Sequence, residues 1–307
     1  MSAFPDDPDH FLEWLSSGQG RGSPVRVDPT GFIPRRVFGR YIESILKEFA
    51  TDVGHRRFEF INAQCVALHE SAGDVEAALA DGRVVRANVA VIATGYDTVN
   101  DGEQAFSSPW TAPHWPGIRR DNPILFLGTG LTMIDCVISL LDQGHRGPLF
   151  ALSRRGLLPH RHAPALHLSF DLPCGFPGCS LSFLTRWMRK LSEDKEMAGG
   201  SWRMVVDALR PHVAGIWQSM DVSERRRFLR HLRPWWEIHR HRMAPQIASR
   251  IDDALKGGQL TIMAGHVLEI DEKDREIEVE WRPRGEQSSR RLTVTKIVAC
   301  TGLTESP

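Results

Sequence analysis

Residues 123–141 read PILFLGTGLTMIDCVISLL. A compact apolar run, 123–127, meets a turn at Gly128-Thr129-Gly130, and the apolar run that follows, 131–141, has the length and composition of a buried helix. Strand, glycine turn and helix in that order form a dinucleotide-binding unit. The first amides of such a helix, here those of Leu131 and Thr132, lack intrahelical acceptors, and the dipole end they share is positive, so the turn suits a pyrophosphate. Gly130 lets a phosphate approach the backbone. Met133 takes the place of the third glycine of the usual G-x-G-x-x-G, which predicts a looser helix-on-strand contact.

The next apolar strand, 148–152 (PLFAL), runs into Ser153-Arg154-Arg155, where a ribose-reading residue is due. An acid there would accept the ribose hydroxyls of NAD. Two guanidinium groups instead match phosphate oxygens, so Arg154 and Arg155 favour a 2′-phosphate and hence NADP. Two further strands end in Thr-Gly: VAVIATG (89–95) at Thr94-Gly95 and KIVACTG (296–302) at Thr301-Gly302. Glycine at such an end permits a close approach to a bound dinucleotide. Residues 58–85 and 260–294 each read as a β-meander leading into one of these ends. One nucleotide-binding plan is thus used twice, with a single glycine loop between the two copies.

At 307 residues the chain suffices for one large core or two moderate ones. Lysine plus arginine equals aspartate plus glutamate, 38 each, so no global field draws it to nucleic acid or to an anionic membrane. The opening residues resemble no leader, no apolar run has the length to span a bilayer, and a cytoplasmic location is expected. Five scattered cysteines (Cys65, Cys136, Cys174, Cys179, Cys300) suggest reduced thiols.

Residues 163–258 turn helical, with helices predicted at 180–191, 201–218, 223–232 and 233–255, the last interrupted near 243–245. Five tryptophans fall there (Trp187, Trp202, Trp217, Trp235, Trp236), and an insert of this size suits substrate selection or a lid. Its run Arg225, Arg226, Arg227, Arg230, Arg233, Arg240, Arg242 and Arg250 faces an anionic substrate or the NADP phosphates, or forms a solvated, salt-bridged surface. His160, His162, His167, His239 and His241 lack a matching carboxylate or cysteine set, so no metal is expected. Near the start, Pro34 precedes a helix predicted over 37–50, with Val37, Tyr41, Ile42, Ile45, Leu46 and Phe49 at helical spacing.

Taken together, FIPRRVFGRYI (32–42), VIATG (91–95), LGTGLTMID (127–135), SRRGLLPHRH (153–162) and VACTG (298–302) resemble the bacterial FAD/NAD(P)-binding oxidoreductases. The group in question includes flavin-dependent hydroxylases similar to nitrosuccinate synthase and a urate hydroxylase. The resemblance implies an α/β fold with two Rossmann-like dinucleotide-binding domains of a flavoprotein, the first incomplete, with a helical insert in the second. It implies a partial FAD-binding domain at 1–117, an NAD(P)-binding domain at 118–162 and 259–307, and the insert at 163–258. FAD and NADP are the implied cofactors, and the implied reaction is NADPH-driven flavin reduction, oxygen activation and hydroxylation of a small polar substrate. Cofactor-borne chemistry of this kind points to no particular catalytic side chain. Arg35, Arg36 or Tyr41 would reach FAD, or their helix is a core helix with a cationic edge. Asp135, expected on a half-buried turn, bonds nearby backbone, holds the loop or contacts the flavin domain. The family carries a glycine-rich FAD loop ahead of the segment matching residues 1–15 and continues past the second Thr-Gly, so this chain is expected to be truncated at both ends. The rival reading is a non-catalytic nucleotide-binding remnant or interaction module.

Overall fold

Phe11, Trp14 and Leu15 are buried at helical spacing on helix α1 (His10–Ser16), where they meet Tyr41 of helix α2 (Arg35–Ala50). A computed structural model of the chain describes residues 2–18, 31–50, 59–71, 73–93, 106–107, 109, 118–166, 168, 178–273 and 276–301, and falls into two units, Met1–Gly95 and Tyr96–Pro307. In the first unit α1 and α2 share an aromatic core around Tyr41, which is wholly buried and whose hydroxyl lies 2.8 Å from Nδ1 of His10. Tyr41 is thus a core residue, not a group free to reach a cofactor. The helix predicted over 37–50 begins two residues earlier, at Arg35, because Pro34 offers its carbonyl to the Val37 amide at 2.8 Å and suits the entry to a first turn.

Three strands complete this unit, β1 (Cys65–Ser71), β2 (Asp74–Leu79) and β3 (Val84–Ala87), paired antiparallel in that order. The strand expected at 89–95 does not form: residues 89–93 belong to no strand, and Val89, Val91 and Ile92 are 75%, 85% and 73% exposed. A closing parallel strand needs parallel neighbours, and the described strands of this unit form an antiparallel sheet only. Thr94 and Gly95 lie outside the described residues.

In the second unit, β4 (Phe106–Ser107), β5 (Ile124–Leu127), β6 (Leu149–Ser153), β7 (Leu260–Lys273), β8 (Glu276–Pro283), β9 (Arg290–Val294) and β10 (Lys296–Ala299) form one sheet in the order β4-β10-β5-β6-β7-β8-β9. The five strands from β4 to β7 run parallel, and β7, β8 and β9 close the far side as an antiparallel meander. Helix α3 (Leu131–Asp142) connects β5 to β6. Strand β5 is apolar at every position because both its faces are covered. Ile124 and Phe126 join a core that includes Met133, Val137, Ile251 and Leu260, whereas Leu125 packs with Ile277, Val279, Trp281 and Ile297. Strand β7 leaves its parallel ladder with β6 at Ala264 and starts its antiparallel ladder with β8 at Gly265. A Cβ at Gly265 would lie 2.8 Å from the Trp281 ring, so the crossing requires glycine.

The insert contains α4 (Leu181–Met197), α5 (Trp202–Leu209), α6 (Val213–Ser219), α7 (Val222–Arg227), α8 (Arg233–Arg240) and α9 (Pro245–Lys256). The helix predicted over 201–218 is divided at the 3₁₀ turn Arg210–His212, since Pro211 has no amide to donate. A π-helical turn, Phe228–Leu232, joins α7 to α8 just ahead of Pro234, whose ring excludes an ordinary bond to the Arg230 carbonyl. The insert is tied to the exit of β6: the His160 amide donates to the Ile238 carbonyl, the Met243 amide to the His160 carbonyl and the His162 amide to the Met243 carbonyl.

At this junction the rings of His160, His239 and Trp202 meet, with His160 4.6 Å from His239 and 5.1 Å from Trp202. Burial, and then His239, Arg203 and Arg242, hold the His160 imidazole below its ordinary pKa; burial likewise depresses His162 and His241. A histidine depressed by folding stabilises the fold fully above its unfolded value near 6.5, and that contribution is lost as pH falls through the folded value. The thermal midpoint is therefore expected to fall between pH 7.5 and pH 5, and His160→Gln to flatten the dependence. An unchanged slope in that variant would assign the effect elsewhere.

Candidate nucleotide site

The turn after β5 is fixed by its neighbour β10. Gly128 has φ +114°, and a Cβ there would overlap the Cys300 carbonyl oxygen and lie 2.8 Å from its carbon. Only glycine meets both conditions. Strand order reverses between β5 and β10, and ligands of open α/β sheets bind at such a switch point, outside the carboxyl ends of the strands. Thr129 is buried, donates to the Leu157 carbonyl at 2.6 Å and lies 2.9 Å from the Ser153 hydroxyl, which accepts from the Gly156 amide at 3.0 Å. This network locks the glycine turn to the end of β6. Gly130 is the N-cap of α3 and is exposed, with open space where a Cβ would stand, so an anion has a clear path to the helix end.

Met133 in the third-glycine position is wholly buried in the core. The contact expected to be loose is filled by this flexible side chain. Asp135, expected to be half-buried, is exposed. The Cys300 thiol beside the turn is held far above its ordinary range by the neighbouring Cys136 and by burial, which keeps it protonated and non-nucleophilic.

A pocket of ≈ 470 Å³ opens over this turn, and Thr129, Gly130, Arg154 and Arg155 line it together. Leu131 and Thr132 are half-buried in the first turn of α3, and Thr301 is exposed just beyond β10. Gly302 lies outside the described residues, and Arg35 and Arg36 are exposed at the start of α2 in the other unit. Among the lining residues not singled out from the sequence as cofactor ligands are the basic groups Arg230, His231, His266 and Arg284. Arg230 belonged to the arginine run for which a phosphate contact was one reading. Arg284 and His266 carry no local signal; they reach the pocket through strand register, because Ser153 pairs with Ala264 and the Arg284 amide donates to the Ala264 carbonyl at 2.8 Å.

Four guanidinium groups thus meet one carboxylate, Glu237, which lies 3.6 Å from Arg233 and 3.3 Å from His241. The local field is cationic although the chain is neutral overall. The donor set fits a phosphorylated nucleotide: backbone amides at the helix end, and guanidinium forks at the ends of β6 and β8 and on the π-helical turn. Two other arginines of the run serve the fold. Arg242, 4% exposed, bonds Asp207 at 2.6 Å, and Arg225 donates to the Trp217 and Gln218 carbonyls.

Residues 1–97 match the sequence model of the FAD-NAD(P)-binding family. No curated protein matches the chain. Among solved structures, the ornithine N-hydroxylase of Kutzneria sp. 744, bound to reduced FAD, NADP⁺ and L-ornithine, is 14% identical with a TM-score of 0.51 over 96% of this chain and 63% of that one. The L-lysine 6-monooxygenase of Pseudomonas syringae is 15% identical with a TM-score of 0.53 over 98% and 65%. At these identities the likeness is one of fold, and the chain spans less than two thirds of the length of these structures. No described helix is long and apolar enough to cross a membrane.

Gly128→Ala is expected to lower the unfolding free energy by about 1–3 kcal/mol from backbone strain alone, with a further loss from displacement of β10. Denaturant unfolding measures this, and a wild-type midpoint would refute the close approach.

Proposed function

We propose that the chain binds NADPH in the arginine-lined pocket and acts as an FAD-dependent, monooxygenase-like oxidoreductase on a small polar molecule in the cytoplasm. One observation carries the nucleotide assignment: Arg154, Arg155, Arg230 and Arg284 converge beside Thr129 and Gly130, at the open end of α3. In this reading the amides of Leu131 and Thr132 hold the pyrophosphate, Arg154 and Arg155 read the 2′-phosphate, and Thr301-Gly302 borders the nucleotide. Residues 118–162 and 259–307 form the NADP domain, 163–258 its insert, and 1–117 the flavin-binding part.

Support for FAD comes from the family match over residues 1–97. Among the described residues of Met1–Gly95 no glycine turn joins a strand to a helix, so no phosphate cradle for FAD is assigned there. Arg35 and Arg36, which stand against the positive end of the α2 dipole, are the groups proposed to meet its phosphates, with Thr94-Gly95 beside it. FAD, when bound, supplies the hydride-accepting and oxygen-activating chemistry.

Arg154→Ala combined with Arg155→Ala is expected to weaken NADPH about 100-fold and NADH by less than about 3-fold, since a charge-assisted bond contributes about 1.5–3 kcal/mol. Calorimetric titration of the full chain with both nucleotides measures the difference. Equal losses would remove the 2′-phosphate assignment. Flavin absorbance after reconstitution with FAD tests the other half, and protein that retains no flavin while binding NADPH would favour the nucleotide-binding remnant.

A further inference from the structure

The insert carries a second cavity, ≈ 540 Å³ and open to solvent on one side, which has no glycine turn and a different chemistry. Its floor is Leu184, Leu209 and Ile216, all buried, and its walls are tryptophans from α5, α6 and α8. Two of those rings are held in place by cations: the Arg203 and Arg242 guanidinium carbons lie 4.5 and 5.3 Å from the Trp202 ring, and that of Arg225 lies 5.4 Å from the Trp217 ring. Trp202 also meets His239 edge-on, at 4.7 Å between centroids. These contacts orient Trp202 and Trp217 before anything binds. Charged lining groups are confined to one exposed edge of α4, at Arg189, Glu193 and Glu196.

Helix α8 separates this chamber from the nucleotide pocket. Pro234, Glu237 and Ile238 line the nucleotide side, and Trp235, Trp236 and His239 line the chamber, as the helical period requires. The chamber volume falls within the range of small-molecule sites, about 300–1,000 Å³. A zwitterion such as lysine would find counter-charges only at the water-screened edge of α4 and none on the floor, so moving inward would cost it hydration. Flat rings gain both burial and face or edge contact with the tryptophans.

We infer that the chamber is a binding site for a neutral, planar aromatic compound of one or two fused rings. This ligand class departs from the small polar substrate that the resemblance implies, and the inference does not depend on the nucleotide assignment. The test is calorimetric titration of the full chain with 2-naphthol and, separately, with L-lysine. Saturable 1:1 binding of 2-naphthol, at least about 100-fold tighter than L-lysine, is expected. Val213→Trp and Met220→Trp, which add an indole to the chamber lining, should each weaken 2-naphthol at least about 10-fold. Cooperative melting near the wild-type midpoint identifies the variants that fold, and one such variant suffices. Absence of saturable binding, equal affinity for L-lysine, or binding indifferent to a folded filler would overturn the inference. So would concentration-dependent dimerisation, by sedimentation, that the fillers abolish while 2-naphthol fails to bind, since a second copy would then occupy the chamber.

Discussion

The backbone of Gly128 runs against the Cys300 carbonyl with no room for a side chain, and the second unit is organised around that contact. It fixes where β5 ends relative to β10, and therefore where α3 starts. With α3 anchored, Thr129 reaches both Ser153 and the Leu157 carbonyl, so the turn and the exit of β6 move as one piece. The result is preorganisation: a cationic pocket whose backbone donors and guanidinium groups stand on strand ends rather than on independent loops.

That central motif was legible because its determinants are contiguous. An apolar run, a glycine turn and an apolar helix within nineteen residues carry their own context. Arg154 and Arg155 were legible for the same reason, being the exit of the next strand. Arg284 was not: its place beside Ser153 depends on a strand, β7, that changes partners at Gly265, and no local pattern announces such a switch. Failures of the opposite kind occurred where local pattern was followed too far. Residues 89–93 have the composition of a buried strand, yet strand formation is a property of partners as well as of sequence. Pro211 divided the helix predicted over 201–218, whose apolar period alone continues through it.

The arginine run of the insert shows why a charge cluster has no single meaning. The Arg242 side chain is almost wholly buried and paired with Asp207, so it acts as a structural cation. Arg225 bonds helix-end carbonyls, where the α6 dipole welcomes a cation. Arg233 lies near Glu237 one helical turn on. Arg230 is left to line the pocket over the glycine turn. The difference lies in register: the π-helical turn that contains Arg230 and His231 offsets them from the preceding helix face.

Pro234 links these observations. By excluding an ordinary helical bond to residue 230 it forces the widened turn, and the same turn sets the rotation at which α8 begins. That rotation directs Glu237 and Ile238 to the nucleotide side and Trp235, Trp236 and His239 to the aromatic side. A shift of one residue is about 100° around a helix, enough to turn a tryptophan into the arginine-lined pocket. The chemistry of both cavities therefore rests on one imino acid that touches only one of them.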